Sequence, residues 1–191
     1  MERKWDFHAA EPMIERRAPS RMVHAAKGES SHAASAALLF EEAHGAAASK
    51  GVKVHAEYQE MEWADDEQLS RMPPSFRQAF ARPEVEAVVW RERAYEFFDG
   101  ARWETGQFDR VVFSGSGEGR SATIYDFKTN SLEIGEDEAS FAERMKKIYF
   151  SQMNLYRQAL SKLTNIALDR ISVCLLLEST GQAVFFPSFL V

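Results

Sequence analysis

Gln107-Phe108-Asp109-Arg110-Val111-Val112-Phe113, then Ser114-Gly115-Ser116-Gly117-Glu118-Gly119, then Ala122-Thr123-Ile124-Tyr125-Asp126-Phe127-Lys128, is the stretch that decides the fold. Two runs of β-branched and aromatic residues flank a glycine- and serine-rich turn, the pattern of a β-hairpin. A symmetric fold between Gly117 and Glu118 sets Asp109 opposite Asp126. Side chains alternate along a strand, so Lys128 shares the face of Asp126 while Tyr125 and Phe127 point the other way. Two carboxylates whose Cβ atoms lie roughly 5 Å apart repel each other. A bound divalent cation would offset that repulsion. A slip of one residue would turn one strand's set to the opposite face.

Outward from the hairpin, 85–98 is again rich in β-branched and aromatic residues and extends it to a three-stranded meander. Residues 138–163 carry Phe141, Met145, Ile148, Tyr149, Gln152, Leu155, Tyr156, Ala159 and Leu163 along one stripe, which predicts a long helix. The apolar run at 170–178 reads as a buried strand, and 182–186 as a further strand after the Thr180-Gly181 turn. Upstream, 31–49 and 52–63 suit helices, and a weaker acidic helical stretch over 66–81 is broken by Pro73-Pro74. Residues 1–30 lack an apolar period and read as an arm or linker remnant, which leaves 31–191 as the domain. Helices, three strands, a helix and more strands make an α/β (α+β) sandwich around a mixed central sheet.

The composition fits this plan. A chain of 191 residues with 45% hydrophobic content can bury one substantial core. Its one cysteine, Cys174, lies in an apolar run and reads as a buried hydrophobe, so no disulfide or four-cysteine iron-sulfur site can form within the chain. That suits a reducing compartment, most simply a cytoplasm. No run approaches the roughly 18 apolar residues of a membrane span. A net charge of -6 argues against a dedicated high-affinity nucleic-acid binder, although a cation-holding active site needs carboxylates.

Phosphodiester hydrolysis needs a nucleophilic water, a cation against the growing charge, and help for the leaving oxygen. Asp109 and Asp126 can hold Mg²⁺ through hard oxygen ligands, with the Phe127 carbonyl as another. Lys128 can orient the water and meet developing negative charge. Taken alone, an Asp-x-Lys is most often a solvated pair on a surface hairpin. Glu92 is a further carboxylate within reach on the first strand, or else a partner for Arg93 or Arg110. Trp63, Trp90 and Trp103 read as core. Arg144, Lys146, Lys147, Arg157 and Lys162 form either a phosphate-facing strip on the long helix or a solvated face.

The surrounding motifs change the weight of the Asp-x-Lys. Gly51-Val52-Lys53-Val54-His55, Gly106-Gln107-Phe108-Asp109-Arg110, Asp126-Phe127-Lys128-Thr129 and Gln152-Met153-Asn154-Leu155-Tyr156 occur in that order. The series resembles the RecB-like nuclease family of the PD-(D/E)XK superfamily, whose members share a restriction-endonuclease-like core. The resemblance implies that His55, Asp109 and Asp126 are metal ligands and Lys128 the catalytic lysine, with Gln152 and Tyr156 at i and i+4 serving the site or a DNA phosphate.

Arg17-Ala18-Pro19-Ser20, with 54–63, resembles the start of exonuclease modules that end RecB- and AddA-type helicase-nucleases. A Gly-x-x-x-x-Gly-Lys-Ser/Thr phosphate loop is missing, so a helicase motor would act in cis or in trans from elsewhere. The missing cysteines separate the chain from relatives that carry an iron-sulfur cluster. The implied activity is cleavage of DNA, as single-stranded or unwound ends, in end processing and recombinational repair, with Mg²⁺ and with Mn²⁺ as a substitute. The rival readings are a free-standing single-strand nuclease and an inactive nuclease fold with a structural or DNA-binding role.

Overall fold

The computed structural model describes residues 57–98 and 100–187, together with the backbone of Arg16–Arg17. The helix expected over 31–49 lies outside the described residues. Of the one expected over 52–63, residues 57–63 are described; 57–60 are helical, but 61–63 leave the helix, so it ends short of the expected Trp63.

One mixed sheet organises the chain. β1 (Arg16–Arg17) runs parallel to the start of β3 (Trp103–Ser114). β2 (Ala87–Phe98), β3 and β4 (Ser121–Lys128) form the antiparallel meander, and β5 (Ile171–Leu177) lies parallel to β4 with β6 (Gln182–Phe185) antiparallel beside it. The β3–β4 register pairs Arg110 with Tyr125 and Val111 with Ile124, as the symmetric hairpin requires. The bend is a short 3-10 turn, Gly117–Gly119. The stretch 1–30, read as an arm, contributes the two-residue β1 to the sheet edge.

Helices cover both faces. α1 (Asp66–Arg71) and α2 (Arg77–Phe80) flank the Pro73-Pro74 break, and α3 (Glu138–Thr164) crosses from β4 to β5. The α3 N-terminus is fixed by Asp137, whose side chain accepts from the Ser140 N–H at 2.7 Å. Asn165, at φ 57°, ends it in the left-handed region that a C-terminal cap requires.

Between α3 and the sheet, Phe141, Met145, Met153 and Leu160 pack on Phe108, Val111, Phe113, Ile124 and Leu175. On the other face Phe76, Ala79 and Phe80 pack on Val112, Tyr125, Phe127, Cys174 and Leu176. Cys174 is fully buried there, and Trp63 and Trp90 pack against the cores as expected, whereas Trp103 is only partly buried, beside the exposed Phe98, and belongs to neither core. No helix among the described residues is long and apolar enough to cross a membrane.

The α3 stripe needs two corrections. Leu163 is 44% exposed and Leu160 takes its place in the core. The basic strip does not form as a free face. Arg157 is buried, with its guanidinium on the Leu168 carbonyl, Arg144 is held by Glu136 and Glu133, and Lys146 pairs with Glu143.

Arg110 fastens the second face. It is 1% exposed and donates to the carbonyls of Ala79 at 2.7 Å, Met61 at 2.7 Å and Glu62 at 2.5 Å, with its guanidinium over the Phe80 ring. Burial pulls its pKa down to about 10, and the carbonyl oxygens supply the polar contacts that burial removes.

Candidate metal centre

The site begins with a change of facing in the meander. Before Glu92, even-numbered Trp90 packs toward α3 and odd-numbered Val89 toward the other face; after it, odd-numbered Tyr95 and Phe97 face α3. On β3, Val111 and Phe113 face α3, yet so does Phe108. Both strands therefore switch at the same level, which keeps their register continuous from Arg91↔Arg110 to Arg93↔Phe108. The switch is made by Glu92, which adopts φ 45°, a left-handed conformation uncommon outside glycine and asparagine. By the continuous register Glu92 falls opposite Asp109, at the step where the β2–β3 pairing is interrupted.

At the same level the β3–β4 ladder ends at Arg110↔Tyr125. The Asp109 carboxylate fills the opening and accepts the Phe127 N–H at 2.9 Å. Asp126, on the α3 face of β4, is 1% exposed and is ion-paired with Lys128. Lys128 stands 4.5 Å above the Tyr149 ring of α3, and the Tyr149 hydroxyl donates to Asn130 Oδ1 at 2.8 Å.

Electrostatics ties these groups together. Burial, the Asp126 charge and to a lesser extent Glu92 push Asp109 up to about 8, against the opposing pull of Lys128 and the Phe127 N–H. For Lys128, burial pulls downward, but Asp126 and then Asp109 raise the ammonium above its ordinary value. The lysine is thus kept charged between two carboxylates.

Glu92 takes neither of the partners weighed from sequence. Arg110 faces the opposite side, and the Arg93 guanidinium lies 5.5 Å from the centroid of the Trp90 ring. Glu92 Oε2 instead accepts from Gln107 Nε2 at 2.7 Å, while Oε1 is buried without a hydrogen-bond partner among the described residues.

Gln152 and Tyr156 lie beneath the carboxylates, both 5% exposed, with Gln152 Nε2 donating to the Tyr156 hydroxyl at 2.9 Å. Tyr156 meets Phe108 and Tyr95 edge-on. After burial, the Asp126 charge is the largest cause that raises the Tyr156 phenol's pKa, followed by Asp109. The pair occupies the helix–sheet interface rather than an outer surface.

Tyr95 was not singled out from sequence. Its hydroxyl is buried over Gly106, where an added Cβ would stand 2.6 Å from the oxygen. The glycine of the Gly-x-x-Asp motif therefore makes room for a tyrosine on the neighbouring strand. Gln107 and Asn130 were missed as well; each lies within two residues of a candidate group, which was the available signal. His55 lies outside the described residues.

The donors fit a hard divalent cation. They are carboxylate oxygens, one of them buried without a donor, around a single paired ammonium. Among the described residues no three or more His, Cys, Asp or Glu side chains come together as a group that could hold a metal ion. Asp126 is turned onto Lys128, and Asp109 onto the Phe127 N–H.

The sequence profile of the PD-(D/E)XK nuclease superfamily matches residues 7–184. The chain belongs to that superfamily. Its mixed sheet with flanking helices is the α/β architecture expected of such a nuclease fold. A search of curated proteins returned no match.

Proposed function

We propose that this PD-(D/E)XK chain is a Mg²⁺-dependent deoxyribonuclease, the RecB/AddA-like exonuclease module of a helicase-nuclease that trims single-stranded or unwound DNA ends during recombinational repair. The juxtaposition of Asp109, Asp126 and Lys128 on one face at the open end of the hairpin carries the reading. The ligands are Asp109, Asp126, the Phe127 carbonyl and His55, and Mn²⁺ can substitute because an imidazole suits it. The cation supplies charge neutralisation at the phosphate and acidifies a water.

The protein's own groups do the rest. Asp126 would be among the groups that hold the cation, and the Lys128 ammonium, beside it, would orient the attacking water and stabilise the phosphorane's charge. Tyr149 beneath the ammonium limits where it can move. Gln152 and Tyr156 form a hydrogen-bonded polar pair at the helix–sheet interface, close enough to Asp126 for its charge to act on the phenol.

The purified chain is expected to cleave single-stranded DNA with Mg²⁺ or Mn²⁺ and to be silent in EDTA. Lys128→Ala should lose at least about a hundredfold in rate while remaining folded, the scale of losing a preorganised electrostatic group. Undiminished cleavage by Lys128→Ala, or by wild type in EDTA, would refute the assignment.

A further inference from the structure

Two guanidinium groups rest on aromatic rings at one face of the meander, with no hydrogen bond or ion pair to them among the described residues. Arg93, exposed, stands 5.5 Å over the Trp90 ring, and Arg120, partly buried, stands 4.5 Å over the Phe113 ring. Trp90 and Phe113 meet edge-on, with ring centroids 4.7 Å apart. The four side chains therefore make one ladder of cation, ring, ring and cation. In a regular strand, residues three apart point to opposite faces, so Arg93 would turn away from Trp90. The left-handed φ of 45° at Glu92 breaks the alternation between them and brings the guanidinium over the ring. Backbone strain of this kind clusters at functional sites, and here the side chain that it re-aims is Arg93.

The ladder also has a direction. Arg93 pairs with Phe108, the neighbour of Asp109, and Phe113 lies four residues beyond Asp109 on β3, roughly 13 Å along the strand. Its upper end opens to solvent, since Trp90 and Arg93 border an open cavity of about 380 Å³. Glu60 and Glu92 border that cavity too and moderate its charge. The α3 bases Arg144 and Lys146 are held by carboxylates and Arg157 by a carbonyl, whereas a guanidinium lying on a ring keeps its in-plane N–H donors for a ligand.

We propose that the ladder is a track for single-stranded DNA: Arg93 and Arg120 each hold a backbone phosphate of the strand being cut, and Trp90 gives that strand an aromatic edge to lie against. Cations alternating with aromatic rings let a protein follow a flexible strand without reading its sequence. The inference rests on the nuclease reading for DNA as the ligand, and adds to it the path of the strand away from Asp109, Asp126 and Lys128.

The test is binding of a labelled thymidine homopolymer to the full chain in EDTA, followed by anisotropy across a salt series that begins at low ionic strength. Each phosphate contact contributes about 0.7 to the slope of log affinity against log salt, so Arg93→Gln and Arg120→Gln should each lower the slope by about 0.7 and the double variant by about 1.4. Arg93→Lys and Arg120→Lys keep the charge and should keep the slope. In Mg²⁺ the Gln variants should raise KM for cleavage and leave kcat unchanged. Arg71→Gln, which removes a guanidinium paired with Glu67 on α1, should retain the wild-type slope. If Arg93 and Arg120 served only to cover their rings, the Gln variants would lose melting temperature and keep the slope, and the track would be refuted. An equal drop in Arg71→Gln, or no binding by wild type at the lowest salt, would refute it as well. The expected slopes in a wild type that cleaves no DNA would overturn the nuclease reading and support the track.

Discussion

Asp109 is where charge, burial and backbone geometry meet, and its protonation should be visible in stability. Its carboxyl is pushed up to about 8 in the fold, first by burial and then by Asp126, whereas in the unfolded chain it titrates near 4. Between those values the folded state holds the extra proton, so stability must fall as pH rises through the window, with the full penalty present above it. Glu178, pushed up to about 7 by burial, acts in the same direction. Lys128 does not interfere, because its raised pKa affects stability only above the ordinary lysine range. In EDTA the melting temperature should therefore decline from about pH 5 to pH 8, and Asp109→Asn should flatten much of that decline. Equal slopes for the two proteins would show that Asp109 is not the titrating group. The facing of Asp109 and Asp126 was legible because the glycine-rich turn centres the hairpin and strand alternation does the rest. The left-handed backbone of Glu92 was not, since such a conformation at a glutamate leaves no mark in composition or period. The Tyr95–Gly106 fit was hidden for a different reason: it joins residues on two strands whose register only the structure gives.

Among the elements, the meander is held from behind by one residue. Arg110 next to Asp109 donates to three carbonyls that belong to the 61–62 segment and to α2. Arg110→Met fills similar volume but strands those acceptors in a buried setting. Charge-assisted hydrogen bonds of this kind contribute roughly 1.5–3 kcal/mol each, and with partial rehydration of the carbonyls the loss should total about 3 kcal/mol. For a domain of this size that is about 6–12 °C in melting temperature. A shift of less than about 2 °C would mean that the segment docks through its apolar contacts alone. From sequence Arg110 was weighed as a partner for Glu92, whereas alternation sends it to the opposite core. Strand and helix limits were read nearly to the residue where period and composition agree, as in β4 and α3. Leu163 misled because the stripe drifts around a helix this long, and Leu160 lies closer to its buried line.

At the scale of the whole molecule, charge sets how the domain meets its substrate. The net charge is -6, and several α3 bases are engaged by acidic neighbours or buried. The net negative charge opposes the approach of phosphates, so the isolated chain should bind single-stranded DNA weakly. The log of its affinity should fall by about 0.7 per phosphate contact for each log unit of salt. Fluorescence anisotropy across a salt series checks this. Tight binding that ignores salt would show that the chain needs no neighbour to deliver DNA, against the helicase-coupled reading.

The route of the chain through the sheet has one more consequence. β2, β3 and β4 are sequential antiparallel neighbours, whereas β5 pairs with β4 only after α3 has crossed over. Antiparallel neighbours joined by tight turns close small loops, and the parallel pairing must wait for a long one. On a ribosome, the meander with Glu92, Asp109, Asp126 and Lys128 would emerge whole while the strand that shields its open edge is still being synthesised. During that interval the carboxylates lie bare to water and ions, which screen their repulsion until β5 arrives. The order of synthesis thus lets carboxylates that repel one another in the fold be assembled in the solvent best able to tolerate them.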